Sequence, residues 1–270
     1  MANDPIARVA QELVALDGSS KLVRPFSERE PTLSPEDGYR AAARLHAARL
    51  EKGWKPAGRK IGFTNRTIWK RYGVYEPMWG MVYDRTLIAA PGNRAQVPLA
   101  GLAQPRIEPE ICFRLAREPG AARTPQALLA CIQWMAHAIE IVQCHHPDWG
   151  LKIADCTADN GLHGRLIVGT PVPVATLPDL VAQLPALGVQ LRRGDEVVDR
   201  GVGANVLDSP LKALAFLVDL LDRQPEAPPL QAGEIVSTGT LTDAHPVAPG
   251  ETWRTAFDGL PLAGLEVGFQ

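Results

Sequence analysis

The sequence predicts an α+β fold, a helical N-terminal cap followed by a mixed β core with further helices at its margins. Helical periodicity dominates only the start of the chain. From Gly58 onward, short apolar runs punctuated by Gly and Pro replace it. Within that later part, two segments alternate apolar and polar residues with the period of a strand.

Ile6, Val9, Ala10, Leu13 and Val14 recur at helical spacing, and Gly18 supplies a stop. A turn-rich stretch through Pro25 and Pro31 follows. Ser34-Pro35-Glu36-Asp37 reads as an N-cap, a first-turn proline and a capping acid, opening a helix to about Leu50. Residues 1–57 are therefore expected to form the cap and residues 58–270 the main domain. Ile107, Pro109, Ile111, Phe113 and Leu115 alternate with Glu108, Glu110, Cys112 and Arg114. Pro109 has no N–H to donate, so this strand is expected to sit at a sheet edge or carry a bulge. Thr124-Pro125 starts a short helix, and Ala138 to Val142 forms a second alternating strand that carries Glu140. Asp208-Ser209-Pro210 opens a helix with Leu211, Leu214, Leu217, Val218 and Leu221 on one face. From Gln231 the chain returns to strand and turn, ending in Leu265, Val267 and Phe269.

Apolar residues make up 46% of the chain and charged residues 21%, so a folded domain is expected rather than disorder. The formal net charge of −2 gives no electrostatic reason to expect nucleic acid or an anionic membrane as partner. No apolar run is long enough to span a bilayer, and no signal peptide opens the chain. Cys112, Cys131, Cys144 and Cys156 form no CxxC pair and read as reduced thiols. A cytoplasmic protein is expected.

Residues two apart on a strand share a face, so Glu108 and Glu110 project together, about 6.6 Å apart at the backbone. Two carboxylates so placed repel unless a cation joins them. Glu140, in the apolar run Ile139 to Val142, needs a partner of its own. Oxygen-only ligands suit Mg²⁺ or Mn²⁺; a solvated acidic strand face is the plainer alternative. Lys60, in Gly58-Arg59-Lys60-Ile61-Gly62-Phe63-Thr64, could enter a cleft and face an anionic substrate, or be an ordinary surface lysine. His163 sits in the glycine-bounded turn Asp159 to Gly164 and could face a site. His145-His146, before Pro147, reads as a solvated loop. Ser237-Thr238-Gly239-Thr240 offers hydroxyls and N–H groups to a carboxylate, or is a plain turn. Phe63, Trp69, Trp79 and Trp149 read as core or as pocket wall.

Taken together, Gly58 to Thr64, Pro105-Arg106-Ile107-Glu108-Pro109-Glu110-Ile111, Ile139-Glu140-Ile141-Val142, Ala158-Asp159-Asn160-Gly161, Ser209-Pro210-Leu211 and Leu230 to Gly250 resemble the hydratase/decarboxylase branch of the fumarylacetoacetate hydrolase superfamily. The resemblance implies a mixed β-roll core of the fumarylacetoacetase C-terminal-like type. It implies a divalent metal on Glu108, Glu110 and Glu140, a catalytic Lys60, and a homo-oligomer that can associate with a sister lyase. The implied reaction is addition of water to a small 2-hydroxy-2,4-dienoate; decarboxylation of a 4-oxalocrotonate-type 2-oxo diacid is the alternative, and hydrolysis of an acylpyruvate ranks behind both. Gly62, Thr64, Thr238 and Thr240 are the expected substrate contacts. Where hydratases of the branch often carry an acid in a Pro-Asp-(aromatic)-Gly segment, this chain reads Pro77-Met78-Trp79-Gly80, so His163 or Glu76 is expected to substitute. Against a hydrolase, the segment before Lys60 offers only His46, in a helix and without an evident partner.

Overall fold

The computed structural model describes residues 4–224 and 227–270. The chain opens with α1 (Pro5–Leu16), the single turn α2 (Phe26–Arg29) and α3 (Pro35–Glu51). Then come β1 (Pro56–Gly62), α4 (Trp69–Tyr72), β2 (Met78–Tyr83), β3 (Leu87–Ala89), β4 (Arg94–Val97) and β5 (Arg106–Leu115). The middle holds α5 (Pro125–Leu129), β6 (Ile132–Val142), α6 (Ile153–Ala158), β7 (His163–Val168) and β8 (Val172–Pro173). It is followed by α7 (Leu180–Ala186), β9 (Gly188–Arg193), β10 (Glu196–Val202) and α8 (Pro210–Asp222). The chain ends with β11 (Ile235–Thr240), β12 (His245–Pro246), β13 (Thr252–Asp258) and β14 (Glu266–Phe269).

Helix starts are built from the chemistry their sequences offer. Asp4 caps α1 through Ile6 N, Ser34 and Asp37 form a reciprocal capping box on α3, and Ser209 caps α8 through Leu211 N. Among the described residues no helix is long and apolar enough to cross a membrane. The four cysteines are free and buried.

The larger sheet runs in the order β2-β1-β11-β5-β6-β7-β3, with β12 added beside β5 and β8 beside β6. Its two ends, β2 and β3, are consecutive in the chain, Tyr83 ending one and Leu87 starting the other. A three-residue turn can join opposite edges only if the sheet is rolled until they meet. Lys60 and Glu140 give the same answer. Three strand spacings separate β1 from β6, roughly 14 Å in a flat sheet, yet the Lys60 ammonium lies 3.2 Å from a Glu140 oxygen.

Rolling sorts the side chains. At one end of the interior, Val82, Cys112, Ala136, Ala138, Leu166, Val168 and Ile235 pack together. On the outer face, Ile111, Phe113 and Leu115 meet Leu211, Leu214, Leu217 and Leu221 of α8. Elsewhere on that face Ile107, Ile139 and Ile141 pack with Leu191, Trp253 and Val267 of the second sheet, ordered β10-β9-β13-β14-β4. Val9, Leu13, Ala41 and Leu45 of α1 and α3 close over Ala158 of α6.

Pro109 neither marks an edge nor sits in a bulge of its own strand. β5 is paired on both sides, with Pro109 opposite Ile139 of β6 and Leu241 N donating to Pro109 O (2.8 Å). The irregularity a proline requires lies in the partner strand, where the β11 register slips between Ser237 and Thr240.

Candidate active site

β5 and β6 are antiparallel with Glu108 directly opposite Glu140, and Glu110 shares the face of Glu108. Carboxylate oxygens of the three residues lie within 4.8 Å of one another. Glu110 and Glu140 are fully buried and Glu108 partly so. The bulge in β11 turns Gly239 N toward Glu110 Oε2 (2.9 Å), and Ser237 Oγ donates to the same oxygen. Gly239 holds φ at +103°, a conformation that favours glycine.

Glu140 Oε1 accepts from His163 Nδ1 at 2.8 Å, and His163 Nε2 lies 2.8 Å from Thr86 Oγ1. A carboxylate can only accept, so Nδ1 carries the proton and Thr86 donates to Nε2. Burial, helped by the Lys60 charge, drives the His163 pKa far below its ordinary value, which keeps the ring neutral. Glu110 Oε1 is buried with no hydrogen-bond partner, and Glu140 Oε2 has only the Lys60 ammonium, 3.2 Å away. Three carboxylates converging on one cation, with a bare buried oxygen among them, carry a cost that a hard divalent cation removes. The donor set therefore fits Mg²⁺ or Mn²⁺. Without one, burial and mutual repulsion raise Glu108 and Glu110 to about 8, and burial raises Glu140 as well.

Lys60 enters the same interior from β1. Burial alone would lower its pKa, but Glu140, Glu108 and Glu110 outweigh burial and hold it above the ordinary lysine value. Gly62 lets the chain pass close by, since a Cβ there would sit 2.8 Å from Met78 Cε and 3.4 Å from Lys60 Nζ.

The cluster opens onto a cavity of about 100 Å³, walled by Phe63, Met78, Trp149, Leu151 and Leu162, with Gly62, Thr64, Arg106 and Thr240 also lining it. Phe63, Trp149 and Leu162 hold φ at 55°, 57° and 63°, so this wall concentrates backbone strain, as binding sites often do. Thr64 Oγ1 is buried with no partner and remains available to a ligand. Thr240 Oγ1 donates to Thr242 O.

Several expected residues lie elsewhere. Thr238 does not line the cavity: strand alternation turns it away, and its hydroxyl donates to Ile111 O at 2.8 Å. His163 stands behind Glu140 rather than in the cavity. Glu76 is exposed and paired with Arg223 at 3.0 Å, far from the role expected of it. Met78 itself fills the cavity wall at the position of the absent acid. His145 and His146 are no solvated loop. Both are buried: His145 lies 2.7 Å from Asp159 Oδ2, and His146 meets Val23 O and the edge of Phe26. Trp149 and Phe63 line the cavity, whereas Trp69 donates to Phe63 O and Trp79 stacks on Tyr39. Trp79, Tyr39 and His46 belong to a larger cavity, about 250 Å³, between α3 and β2, which contains none of the three clustered glutamates.

The Ser237-to-Thr240 run, read as able to offer hydroxyls and N–H groups to a carboxylate, does so toward Glu110 through Ser237 Oγ and Gly239 N, whereas the place of Arg106 in the site escaped the sequence reading. Arg106 had a usable signal, since it stands two residues before Glu108 and so on the same strand face.

Comparison with known proteins agrees with this geometry. Residues 73–266 match the family model for the fumarylacetoacetate (FAA) hydrolase C-terminal region. The chain is 32% identical over 253 residues to 2-keto-4-pentenoate hydratase of Paraburkholderia xenovorans (strain LB400), covering 93% of this chain and 90% of the relative. It is 30% identical over 255 residues to 4-oxalocrotonate decarboxylase of a Pseudomonas species, covering 92% and 93%. The solved 4-oxalocrotonate decarboxylase from Pseudomonas putida G7, complexed with magnesium and adipate, superposes with a TM-score of 0.88 at 25% identity, over 98% of this chain and 97% of that one. With its rolled sheet, its three converging glutamates and these matches over nearly all of its length, the chain belongs to the fumarylacetoacetate hydrolase family.

Proposed function

We propose that the chain is a divalent-metal-dependent lyase that adds water to a 2-hydroxy-2,4-dienoate, giving a 4-hydroxy-2-oxo acid. The observation that carries this reading is the convergence of three carboxylates, Glu110 Oε1 buried without a donor, on a buried ammonium 3.2 Å from Glu140 Oε2. Its relatives act in the same direction, hydratases among them.

Glu108, Glu110 and Glu140 would hold the cation. When bound, it supplies Lewis-acid polarisation of the substrate's 2-oxygen. Lys60, kept protonated by its neighbours, places positive charge where oxyanion character develops and can hold or pass a proton at Nζ. Thr64 Oγ1 and Gly62 border the space the substrate head would occupy. The enol proton leaves the 2-oxygen and C5 gains one, leaving an enone. The water oxygen then bonds C4 while C3 takes the remaining proton. Phe63, Leu151 and Leu162 keep bulk water from this step by walling the cavity.

A second reading is decarboxylation of a 2-oxo diacid. It is favoured by Met78, which puts a thioether where hydratases of the branch often carry an acid, and by the likeness to the decarboxylase fold. The same electron sink serves both reactions. We extend the proposal to a cytoplasmic homo-oligomer able to associate with a sister lyase, expectations that rest on family membership; light scattering of the purified chain tests the first.

The reaction is tested by giving metal-stripped protein 2-hydroxypenta-2,4-dienoate and, separately, 4-oxalocrotonate, with and without Mg²⁺ or Mn²⁺. Ultraviolet absorbance and product mass are followed. Metal-dependent gain of one water is the expected result. Loss of CO₂ from the diacid would favour the second reading, and no turnover of either by metal-loaded protein would overturn both.

A further inference from the structure

Along β5 the residues facing the roll interior run from closed end to open end: Cys112, Glu110, Glu108, Arg106. Burial falls in that order, from 0% exposed at Cys112 and Glu110 to partial exposure at Glu108 and Arg106. The carboxylate cluster is the inner station and Arg106 the outer one, about 6.6 Å beyond Glu108 along the backbone. Its guanidinium sits 4.3 Å over the Trp149 ring and lines the same cavity. Among the described residues no carboxylate pairs with it. By contrast Arg49 and Arg59, the two most buried arginines, each have an acidic partner, Asp17 at 2.8 Å and Glu234 at 2.7 Å. The two cations of the cavity thus differ in kind. Lys60 is committed to Glu140, while Arg106 is held flat by Trp149 with its N–H groups uncommitted.

We infer that Arg106 is a specificity-determining residue that binds a second carboxylate, at the far end of the substrate from its 2-oxygen. This rests on the reading above, in which the substrate head lies at the glutamate cluster. A head placed there leaves through the mouth of the roll, and the mouth is where Arg106 stands. A planar guanidinium immobilised on an aromatic face is suited to a bidentate carboxylate and indifferent to an alkyl or vinyl tail. Trp149 and Leu151 supply the apolar flank on which the intervening carbons lie. The substrate class favoured is accordingly a six-carbon 2-oxo or 2-hydroxy-dienoic diacid over its five-carbon monoacid.

The test compares wild type, Arg106→Met and Arg106→Lys, all Mg²⁺-loaded. Calorimetry measures binding of two unreactive probes, hexanedioate and hexanoate, and turnover is measured with 4-oxalocrotonate and 2-hydroxypenta-2,4-dienoate. Wild type is expected to bind the diacid about tenfold or more tightly than the monoacid, the worth of one charge-assisted hydrogen bond. Arg106→Met should abolish that ratio and raise KM for the diacid about tenfold more than KM for the monoacid; Arg106→Lys should restore part of it. Equal affinities in wild type, or a ratio that survives in Arg106→Met, would overturn the inference. So would a variant that only melts earlier with its preference intact, which would make Arg106 a mere prop for Trp149. If neither substrate turns over yet the probe ratio depends on Arg106, the reaction assignment fails and the carboxylate site stands.

Discussion

His163 shows how one side chain can serve a site it does not touch. Its Nδ1–H fixes Glu140 Oε1, which leaves Oε2 to point at Lys60 and the space between the three acids. His163→Ala removes that donor and leaves a second buried carboxylate oxygen bare. Mn²⁺ affinity, read by calorimetry or electron paramagnetic resonance, should fall 10- to 100-fold, the usual loss when a ligand's outer partner goes. Thr86→Val should give a smaller loss, because the ring keeps its bond to Glu140. Lys60→Met separates binding from chemistry. The metal should bind as well or better once the competing ammonium is gone, while kcat drops about 10³-fold. Retained turnover in Lys60→Met would refute the role given to the ammonium.

The pairing of β5 with β11 and β6 is what turns separate acids into a cluster. Gly239 is its most constrained point, because a Cβ there would lie 1.9 Å from Thr64 Oγ1 on a backbone already at φ +103°. Gly239→Ala should cost about 2–3 kcal/mol in denaturant unfolding and weaken Mn²⁺ binding, since Gly239 N would no longer reach Glu110. Gly120→Ala, where a Cβ meets open space, should stay within about 0.5 kcal/mol. The contrast also marks where sequence stops being informative. Period-two alternation made the shared face of Glu108 and Glu110 readable, and caps at Ser34 and Ser209 located helices, because both are local. That Glu140 stands opposite Glu108, or that β11 carries the bulge Pro109 requires, depends on register between segments far apart in the chain. Strand pairing sets it, not any one segment's pattern.

Across the molecule, the N-terminal helices are tied to the rolled sheet by buried polar contacts, and these misled a reading of His145-His146 as solvated. Such burial arises only when a distant segment closes over the pair. His145 Nδ1 faces Asp159 Oδ2 at 2.7 Å and Nε2 faces Ser19 O at 3.1 Å, while Val23 N donates to His145 O. Both ring nitrogens thus point at acceptors, an arrangement that suits the imidazolium and leaves the neutral ring one donor short. Burial would lower the His145 pKa, but the Asp159 charge overrides it and raises it above 6.5; burial would raise Asp159, but His145 overrides that and holds it below 3.8. A raised histidine stabilises the fold fully below 6.5 and loses the contribution as pH climbs through its folded value. A depressed aspartate stabilises above 3.8 and loses it as pH falls through its own. The pair is therefore worth most between those limits. His145→Gln should lower stability by about 3 kcal/mol at pH 5.5, where removing it strands a buried carboxylate. The gap should narrow as pH climbs through the raised His145 value, where wild type loses the charge as well. Thermal melts of both proteins across this range measure it, and a gap that stays constant with pH would show that His145 is held there as a neutral ring.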